Sequence, residues 1–139
     1  MENKYYIDTA IWRDLHEDRV DNFRPLGEWA FRLFQFIREN KEKIIYSELV
    51  VKELSVEYDE ETVKNIFKIA IEQSFMEKIE IKRNHIQEAN QLSKKLNIPF
   101  GDCLHAILAK DSGAIMVTRD KHFFELRNIV EIKKPEDLI

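Results

Sequence analysis

Short apolar runs alternate along this chain with longer segments of helical periodicity, and this alternation limits the folds available to it. Five runs have the length and residue types of buried or half-buried strands, at residues 5–7, 44–46, 78–81, 114–118 and 129–132. Strands that are separated by helices pair in parallel, and a parallel sheet has both faces covered. The pattern therefore predicts an α/β protein with a central parallel sheet between two layers of helices.

The segments between these runs carry apolar residues at spacings of three and four, which is typical of helices that bury one face. Trp29, Leu33 and Ile37 form one such stripe, and residues 63–70 form another. Ser47 and Asn84 are placed as N-caps of two further helices, and Asp120 precedes a short helix through residues 123–126. A helix over residues 100–112 is predicted to end at Gly113. These helices connect the predicted strands with little chain left over for loops.

Length and charge restrict the setting in which the chain works. At 139 residues it fits one domain, which we expect to span residues 1–139. The single cysteine excludes an internal disulfide, and no apolar run approaches the length of a membrane span, so we expect a cytoplasmic protein that does not enter a membrane. A net charge of −4 excludes binding to nucleic acid through a broad basic surface. Any nucleic-acid function must depend on a local site.

Four acidic residues are expected at one edge of the sheet. Asp8 ends the first predicted strand and Asp120 follows the fourth, and ligands of open parallel sheets bind at the carboxyl ends of the strands. Glu53 and Asp102 lie in helices whose N-termini face the same edge. Four carboxylates close together repel one another unless a cation compensates them, and hard oxygen ligands suit Mg²⁺ or Mn²⁺. The sequence therefore predicts a divalent-metal site that could hydrolyse a phosphodiester bond.

Each acid also has a simpler interpretation that the sequence leaves open. Asp8 and Asp120 occupy positions where an acid commonly caps a following helix, and Asp102 would be favourable near any helix N-terminus. Along the helix after the second strand, Glu48 points about 140° away from the direction of Glu53. A second acid, Glu57, could face the same way as Glu53.

Two threonines adjoin the predicted acids in sequence. Thr118 lies two residues before Asp120, and Thr9 directly follows Asp8. Their hydroxyl groups could orient the neighbouring carboxylates or a metal-bound water, or could only cap helices. A hydroxyl in such a position is more often simply a helix cap, so Thr9 and Thr118 are candidates for contacts with the site.

Several basic residues are candidates for contacts with phosphate groups. Arg119 and Lys121 flank the last acid, and Arg13 and Lys52 are expected near the same edge. A solvated charged surface explains each of them equally well. His105, one helical turn after the third acid, is more often a packed, hydrogen-bonded residue in such a position and receives no catalytic role.

Taken in order, these segments resemble those of the PIN-domain nucleases, and especially the single-domain toxin ribonucleases of toxin–antitoxin pairs. The similarity extends over nearly the whole chain. It rests on YIDT at residues 6–9, SELVVKEL at 47–54, GDCLHA at 101–106, VTRDKHF at 117–123 and the closing KPEDL at 134–138. The stretch at residues 17–24 departs from the family pattern, because it is longer and more polar.

The resemblance implies a three-layer α/β/α sandwich with strand order 3-2-1-4-5. It also implies a divalent-metal site at Asp8, Glu53, Asp102 and Asp120, cleavage of single-stranded RNA, a small antitoxin partner and self-association into homodimers. Two related functions stay open, namely RNA processing or cleavage of structured DNA, and an inactive module that only binds RNA or a partner.

Other enzymes with an aspartate after the first strand fit less well. A phosphoaspartate hydrolase needs a second acid two residues after Asp8, where this chain has Ala10. A glycine-rich phosphate loop is also excluded, because no glycine precedes Gly27.

Overall fold

The computed structural model describes residues 3–139, and its centre is a five-stranded sheet. The strands are β1 (Lys4–Ile7), β2 (Lys43–Tyr46), β3 (Met76–Lys78), β4 (Ile115–Val117) and β5 (Ile132–Lys133). All four pairings are parallel, and the strand order is β3-β2-β1-β4-β5. The predicted α/β class and the order 3-2-1-4-5 are confirmed.

Within residues 3–139, seven helices connect and cover the strands. They are α1 (Thr9–Glu17), α2 (Leu26–Glu39), α3 (Glu48–Ser55), α4 (Glu60–Ala70), α5 (Arg83–Leu96), α6 (Phe100–Asp111) and α7 (Pro135–Leu138). Two 3₁₀ helices, Gln73–Phe75 and Lys121–Leu126, complete the connections. Helices α1 to α4 and α7 form one contacting group, while α5 packs against α6. Among residues 3–139, every helix is too short or too polar to span a bilayer.

The central strand β1 places the start of α1 at the carboxyl edge of the sheet. Tyr6 pairs in register with Ile45 of β2 and Met116 of β4, and all three side chains are buried. On the helical side Trp12 is also fully buried, with its ring 4.8 Å from that of Phe34. Burial of a large side chain stabilises a fold by about 1.5–3 kcal/mol. The middle of the sheet is therefore a rigid support for the residues that follow its strands.

Two predicted strands are shifted by a few residues. The strand expected at 78–81 ends at Lys78, and the strand expected at 129–132 begins only at Ile132. Both β3 and β5 are edge strands with one partner each, so few inter-strand hydrogen bonds determine their ends. The periodicity signal extended beyond the paired residues in both cases.

Two predicted N-caps also differ. Ser47 occupies the N-cap position of α3, but its side chain forms no capping hydrogen bond. Helix α5 starts at Arg83, so Asn84 lies inside the helix rather than before it. His85 accepts a hydrogen bond from the backbone N–H of Lys82 there, which satisfies an amide at the start of the helix.

The connection between α1 and α2, at residues 18–25, is an irregular surface segment. Asp18, Asn22 and Phe23 have left-handed backbone conformations, which are uncommon outside glycine. The start of the segment packs closely against Gly27 of α2, where a Cβ atom would lie 2.6 Å from the Cα of Asp18. This segment coincides with the part of the sequence that departs from the family pattern.

Candidate active site

Asp8 follows β1 directly and lies at the carboxyl edge of the sheet. It occupies the N-cap position of α1, yet its side chain forms no capping hydrogen bond. Instead Oδ2 accepts a hydrogen bond of 2.8 Å from the Thr118 hydroxyl, which follows the neighbouring strand β4. The carboxylate is therefore oriented by the adjacent strand end and not by its own helix.

Asp102 and Asp120 approach the same edge from two other elements. Asp102 is the third residue of α6, and Asp120 precedes the 3₁₀ helix Lys121–Leu126, where its Oδ1 accepts from the N–H of His122 at 2.9 Å. The His122 imidazole lies 3.3 Å from Asp102 and 3.4 Å from Asp120, measured from Nδ1 to the nearest carboxylate oxygen. One ligand atom from each of the three residues lies within 4.8 Å of the others. Such a set could hold one cation.

Glu53 comes from α3 and completes the acidic group. Its Oε1 accepts hydrogen bonds from Thr9 at 2.5 Å and from His105 at 2.8 Å. The two other acids considered on this segment lie elsewhere: Glu48 pairs with Lys78 at the sheet edge, and Glu57 pairs with Arg13.

A cavity of about 290 Å³ joins these residues into one site. Its lining includes the four acids predicted from the sequence together with Thr9, Ala10, Arg13 and Val56. This volume accommodates metal ions with their waters, since a water occupies about 30 Å³.

The lining of the cavity carries more acidic than basic side chains. Burial raises the pKa of the Asp8 carboxyl, and the charges of Glu53 and Asp102 raise it further, against the lowering effects of His105 and Thr118. The pKa of Asp102 is raised by burial and by the charge of Asp120. Within residues 3–139, no lysine or arginine forms an ion pair with any of these three aspartates. An added cation would relieve this repulsion.

Glu53 differs from the aspartates in its environment. Burial alone would raise its pKa, but the hydrogen bonds and charge of His105, the Thr9 hydroxyl and Arg13 together lower it below the ordinary value. Glu53 is therefore an ionised carboxylate in the absence of any metal.

Each of the two threonines donates to an acid other than its neighbour in sequence. Thr118 donates to Asp8 and its oxygen also accepts from the backbone N–H of Asp120, while Thr9 donates to Glu53. Neither hydroxyl donates to the carboxylate of the acid next to it in sequence, so of the roles left open by the sequence this one is not seen. Pairing of β1 with β4 brings Thr118 to Asp8, and packing of α1 against α3 brings Thr9 to Glu53.

The predicted cations divide into two groups. Arg119 points away from the cavity, pairs with Glu136 of α7 at 2.8 Å, lies 3.8 Å from Asp14 and sits 5.1 Å above the Trp29 ring. Lys121 is exposed next to the acidic edge. Arg13 lines the cavity, where it also donates to the backbone oxygen of Glu53 at 3.0 Å.

The comparison with known families agrees with this arrangement. The model of the PIN domain matches residues 5–129, which is most of the chain. The chain belongs to the PIN-domain family. No curated protein matches it.

Solved structures share the fold of this PIN domain at low sequence identity. The VapBC2 complex from Rickettsia felis, bound to a DNA fragment from its promoter, matches with a TM-score of 0.68 and 19% identity over 94% of this chain and 98% of that chain. A toxin–antitoxin complex from Klebsiella pneumoniae matches with a TM-score of 0.67 and 17% identity over 94% and 97%. DNA-bound VapBC from Salmonella typhimurium matches with a TM-score of 0.65 and 16% identity over 96% and 98%. These matches show the same three-layer PIN fold.

Two histidines of this PIN domain contact the acids but received no role from the sequence. His105 lies one turn after Asp102 in α6, a spacing that indicated a shared face without revealing the contact with Glu53. His122 lies two residues after Asp120, and that proximity was the only signal of its position in the cluster.

Proposed function

We propose that this chain is a divalent-metal-dependent endoribonuclease that hydrolyses phosphodiester bonds in single-stranded RNA. The observation that carries the proposal is the cavity in which Asp8, Glu53, Asp102 and Asp120 converge from four different elements. Membership of the PIN-domain family supports nuclease chemistry at this position.

The residues of the cavity fit a divalent cation. Mg²⁺ and Mn²⁺ prefer hard oxygen ligands, which the four carboxylates supply, and the group lacks a lysine or arginine partner for its three aspartates among residues 3–139. Asp8, Asp102 and Asp120 are the proposed ligands, with Glu53 as a fourth. When bound, the metal would polarise the phosphoryl oxygen and make a water more acidic.

The side chains of this site contribute orientation and a hydrogen-bond acceptor. Thr118 holds Asp8 in place through a hydrogen bond to Oδ2, so that the carboxylate need not reorganise on binding. Among residues 3–139 no protein group donates a hydrogen bond to Oε2 of Glu53, so this oxygen is available to the metal and can accept a hydrogen bond from an attacking water. Arg13 and Lys121 are the proposed contacts to the RNA phosphates.

Substitution of the aspartates tests the proposal. Asp8→Asn and Asp102→Asn each keep the shape of the residue but remove its charge, so RNA cleavage in Mg²⁺ or Mn²⁺ should fall by at least about 100-fold, as one oriented charged group typically contributes. Glu48→Gln, an acid of α3 outside the cavity, should cleave at the parent rate. Circular dichroism checks that each variant is folded.

Cleavage of single-stranded RNA, single-stranded DNA and duplexes should be compared in the same assay. Asparagine variants that cut as fast as the parent would contradict the assignment of the site. Equal or faster cleavage of DNA would contradict RNA as the substrate while keeping the nuclease.

We further propose that the protein is the toxin of a toxin–antitoxin pair and forms homodimers. Support comes from the similar structures, which are toxin–antitoxin complexes, and from apolar side chains exposed around the 18–25 segment, where Phe23 is 99% exposed and Val20 is 68% exposed. Co-expression with the product of a short neighbouring reading frame should protect RNA from cleavage. Light scattering measures the dimer, and a monomer at all concentrations would contradict it.

A further inference from the structure

His105 joins the central strand to the acidic cavity through an unbroken series of buried side-chain contacts. It lies on α6, is 1% exposed, and places Nε2 2.8 Å from Oε1 of Glu53. Its Nδ1 lies 2.7 Å from the Tyr6 hydroxyl, which in turn lies 2.7 Å from the Ser47 hydroxyl. No solvent-exposed group interrupts the series before Glu53.

The direction of the hydrogen bond at Glu53 follows from chemistry. An ionised carboxylate only accepts, so the hydrogen between His105 and Glu53 belongs to Nε2 of the imidazole. The Thr9 hydroxyl donates to the same oxygen, Oε1. Two donors from different helices therefore hold one oxygen of Glu53 in place.

The second oxygen of Glu53 faces another part of the site. Oε2 lies 3.5 Å from the position that a Cβ atom would take on Gly101, the residue before Asp102. It thus lies against the first turn of α6, where the acids of the cavity converge. With Oε1 held by its two donors, rotation of the carboxylate is blocked and Oε2 stays directed to this place.

Tyr6 restrains the imidazole from the opposite side. Its ring packs edge-on against that of His105 with centroids 5.4 Å apart, and its hydroxyl faces Nδ1. The ring can therefore not flip without losing both the Tyr6 contact and the Glu53 contact.

We propose that His105 is a positioning residue, oriented by Tyr6, that presents Glu53 to the metal and the attacking water through Oε2 alone. The proposal rests on the nuclease function proposed above. A residue that only fills the core would affect stability without affecting how Glu53 meets the metal. Outer hydrogen-bond partners of metal ligands typically change metal affinity or activity by 10–100-fold.

Two substitutions of His105 distinguish loss of the hydrogen-bond donor from loss of side-chain volume. The amide nitrogen of Gln in His105→Gln reaches about the position of Nε2 and can still donate to Glu53. The shorter amide of His105→Asn reaches only the position of Nδ1 and contacts Tyr6 instead. Mn²⁺ alone, titrated by electron paramagnetic resonance in the absence of RNA, gives the dissociation constant of each variant, and melting temperatures report on folding.

The Asn variant should bind Mn²⁺ about 10-fold or more weakly, with kcat lowered by a similar factor and KM for RNA within about twofold of the parent. The Gln variant should recover most of both losses. Parent-like Mn²⁺ affinity in the Asn variant, or equal losses in Asn and Gln variants of unchanged melting temperature, would overturn the proposal.

If the Asn variant does not fold, Tyr6→Phe removes the hydroxyl that faces Nδ1 of His105 and should weaken Mn²⁺ binding in a folded protein. Parent-like affinity in a folded Tyr6→Phe protein would then overturn the proposal. If the unmodified protein binds Mn²⁺ but cuts no RNA, the proposed ribonuclease function is refuted. The Mn²⁺ affinities of the His105→Asn and His105→Gln variants decide the role of His105 separately.

Discussion

At the scale of single residues, the acidic cavity depends on hydroxyl groups that contact acids far away in sequence. Thr118 donates to Asp8, 110 residues away, and Thr9 donates to Glu53, 44 residues away. Thr118 also accepts from the N–H of Asp120, so a single hydroxyl links the ends of two neighbouring strands. A small change at this hydroxyl should affect two acids together.

Thr118→Val tests this link, because it preserves the shape of the side chain and removes its hydrogen bonds. We expect Mn²⁺ affinity and RNA cleavage to fall by about 10–100-fold, while Thr118→Ser keeps both near the parent values. Calorimetric titration with Mn²⁺ measures the affinity. A valine variant with parent affinity would show that Thr118 serves only the fold.

A second residue-scale prediction concerns the alkaline limit of stability. Burial raises the pKa of Tyr5 from its ordinary value near 10 to about 12, and the hydrogen bond to Glu42 adds to the shift. Because the folded state holds this proton more tightly than the unfolded state, the stabilisation is complete below pH 10 and is lost as pH rises towards 12.

The free energy of unfolding should therefore fall more steeply between pH 10 and 12 in the parent than in Tyr5→Phe. Urea denaturation at fixed pH measures this difference, and the ultraviolet absorbance of tyrosinate locates the titration. Parallel curves for the two proteins would contradict the raised pKa.

At the scale of elements, helix α6 carries Asp102 in its first turn and His105 one turn later. Its two ends are stabilised in different ways. The N-terminal turn holds Asp102, where a negative charge interacts favourably with the helix dipole. The C-terminal end is closed by Gly113, whose φ of +70° is left-handed.

Gly113→Ala should destabilise the protein by about 1–2 kcal/mol, because an L-residue is strained in this conformation. In the part of the chain that the structure describes, no atom beyond the two adjoining residues lies within 4 Å of the added Cβ, so a steric clash does not contribute. Gly113→Asn should cost less, since asparagine tolerates the left-handed region. Thermal unfolding monitored by circular dichroism compares them, and equal losses would point to a cause other than backbone strain.

Arg119 shows how an element can redirect a side chain that the sequence placed at the site. Helix α7 supplies Glu136 and α1 supplies Asp14, so the guanidinium is held between them and against Trp29. Its place next to Asp120 in sequence suggested a phosphate contact. In the structure Arg119 instead connects α7 to α1 and to Trp29 of α2.

At the scale of the whole molecule, the charge distribution favours binding of a cation in the cavity. The net charge is −4, and four acids converge in one cavity with Arg13 as the one basic residue of its lining among residues 3–139. Binding of a metal to the folded state alone raises its stability by mass action, by about 2.7 kcal/mol at 100 times the dissociation constant.

Mg²⁺ should therefore raise the melting temperature of the parent by several degrees and that of Asp102→Asn by much less. Glu48→Gln should respond like the parent, because this acid lies outside the cavity. NaCl at equal ionic strength controls for screening. Equal shifts in the parent and Asp102→Asn would indicate nonspecific ion binding.

The sequence by itself determined the class of fold, the strand order through its resemblance to a family, and the positions of Asp8 and Asp120 after neighbouring strands. The class of fold follows from local periodicity, and the common edge of Asp8 and Asp120 follows from the rule that parallel strands end at one edge of the sheet. Asp102 was expected from the position of its helix together with the resemblance, whereas Glu53 was expected almost entirely from the resemblance. The side-chain environment of each acid was not predicted.

Only the tertiary structure decided which side chains meet inside the cavity. The contact of His105 with Glu53 joins residues 52 positions apart, and the contact of Thr9 with Glu53 depends on how α1 packs against α3. Such contacts depend on rotamers and packing angles that local sequence patterns do not encode. The acidic residues could be identified from the sequence, whereas the hydrogen bonds that orient them depend on how the helices and strands pack.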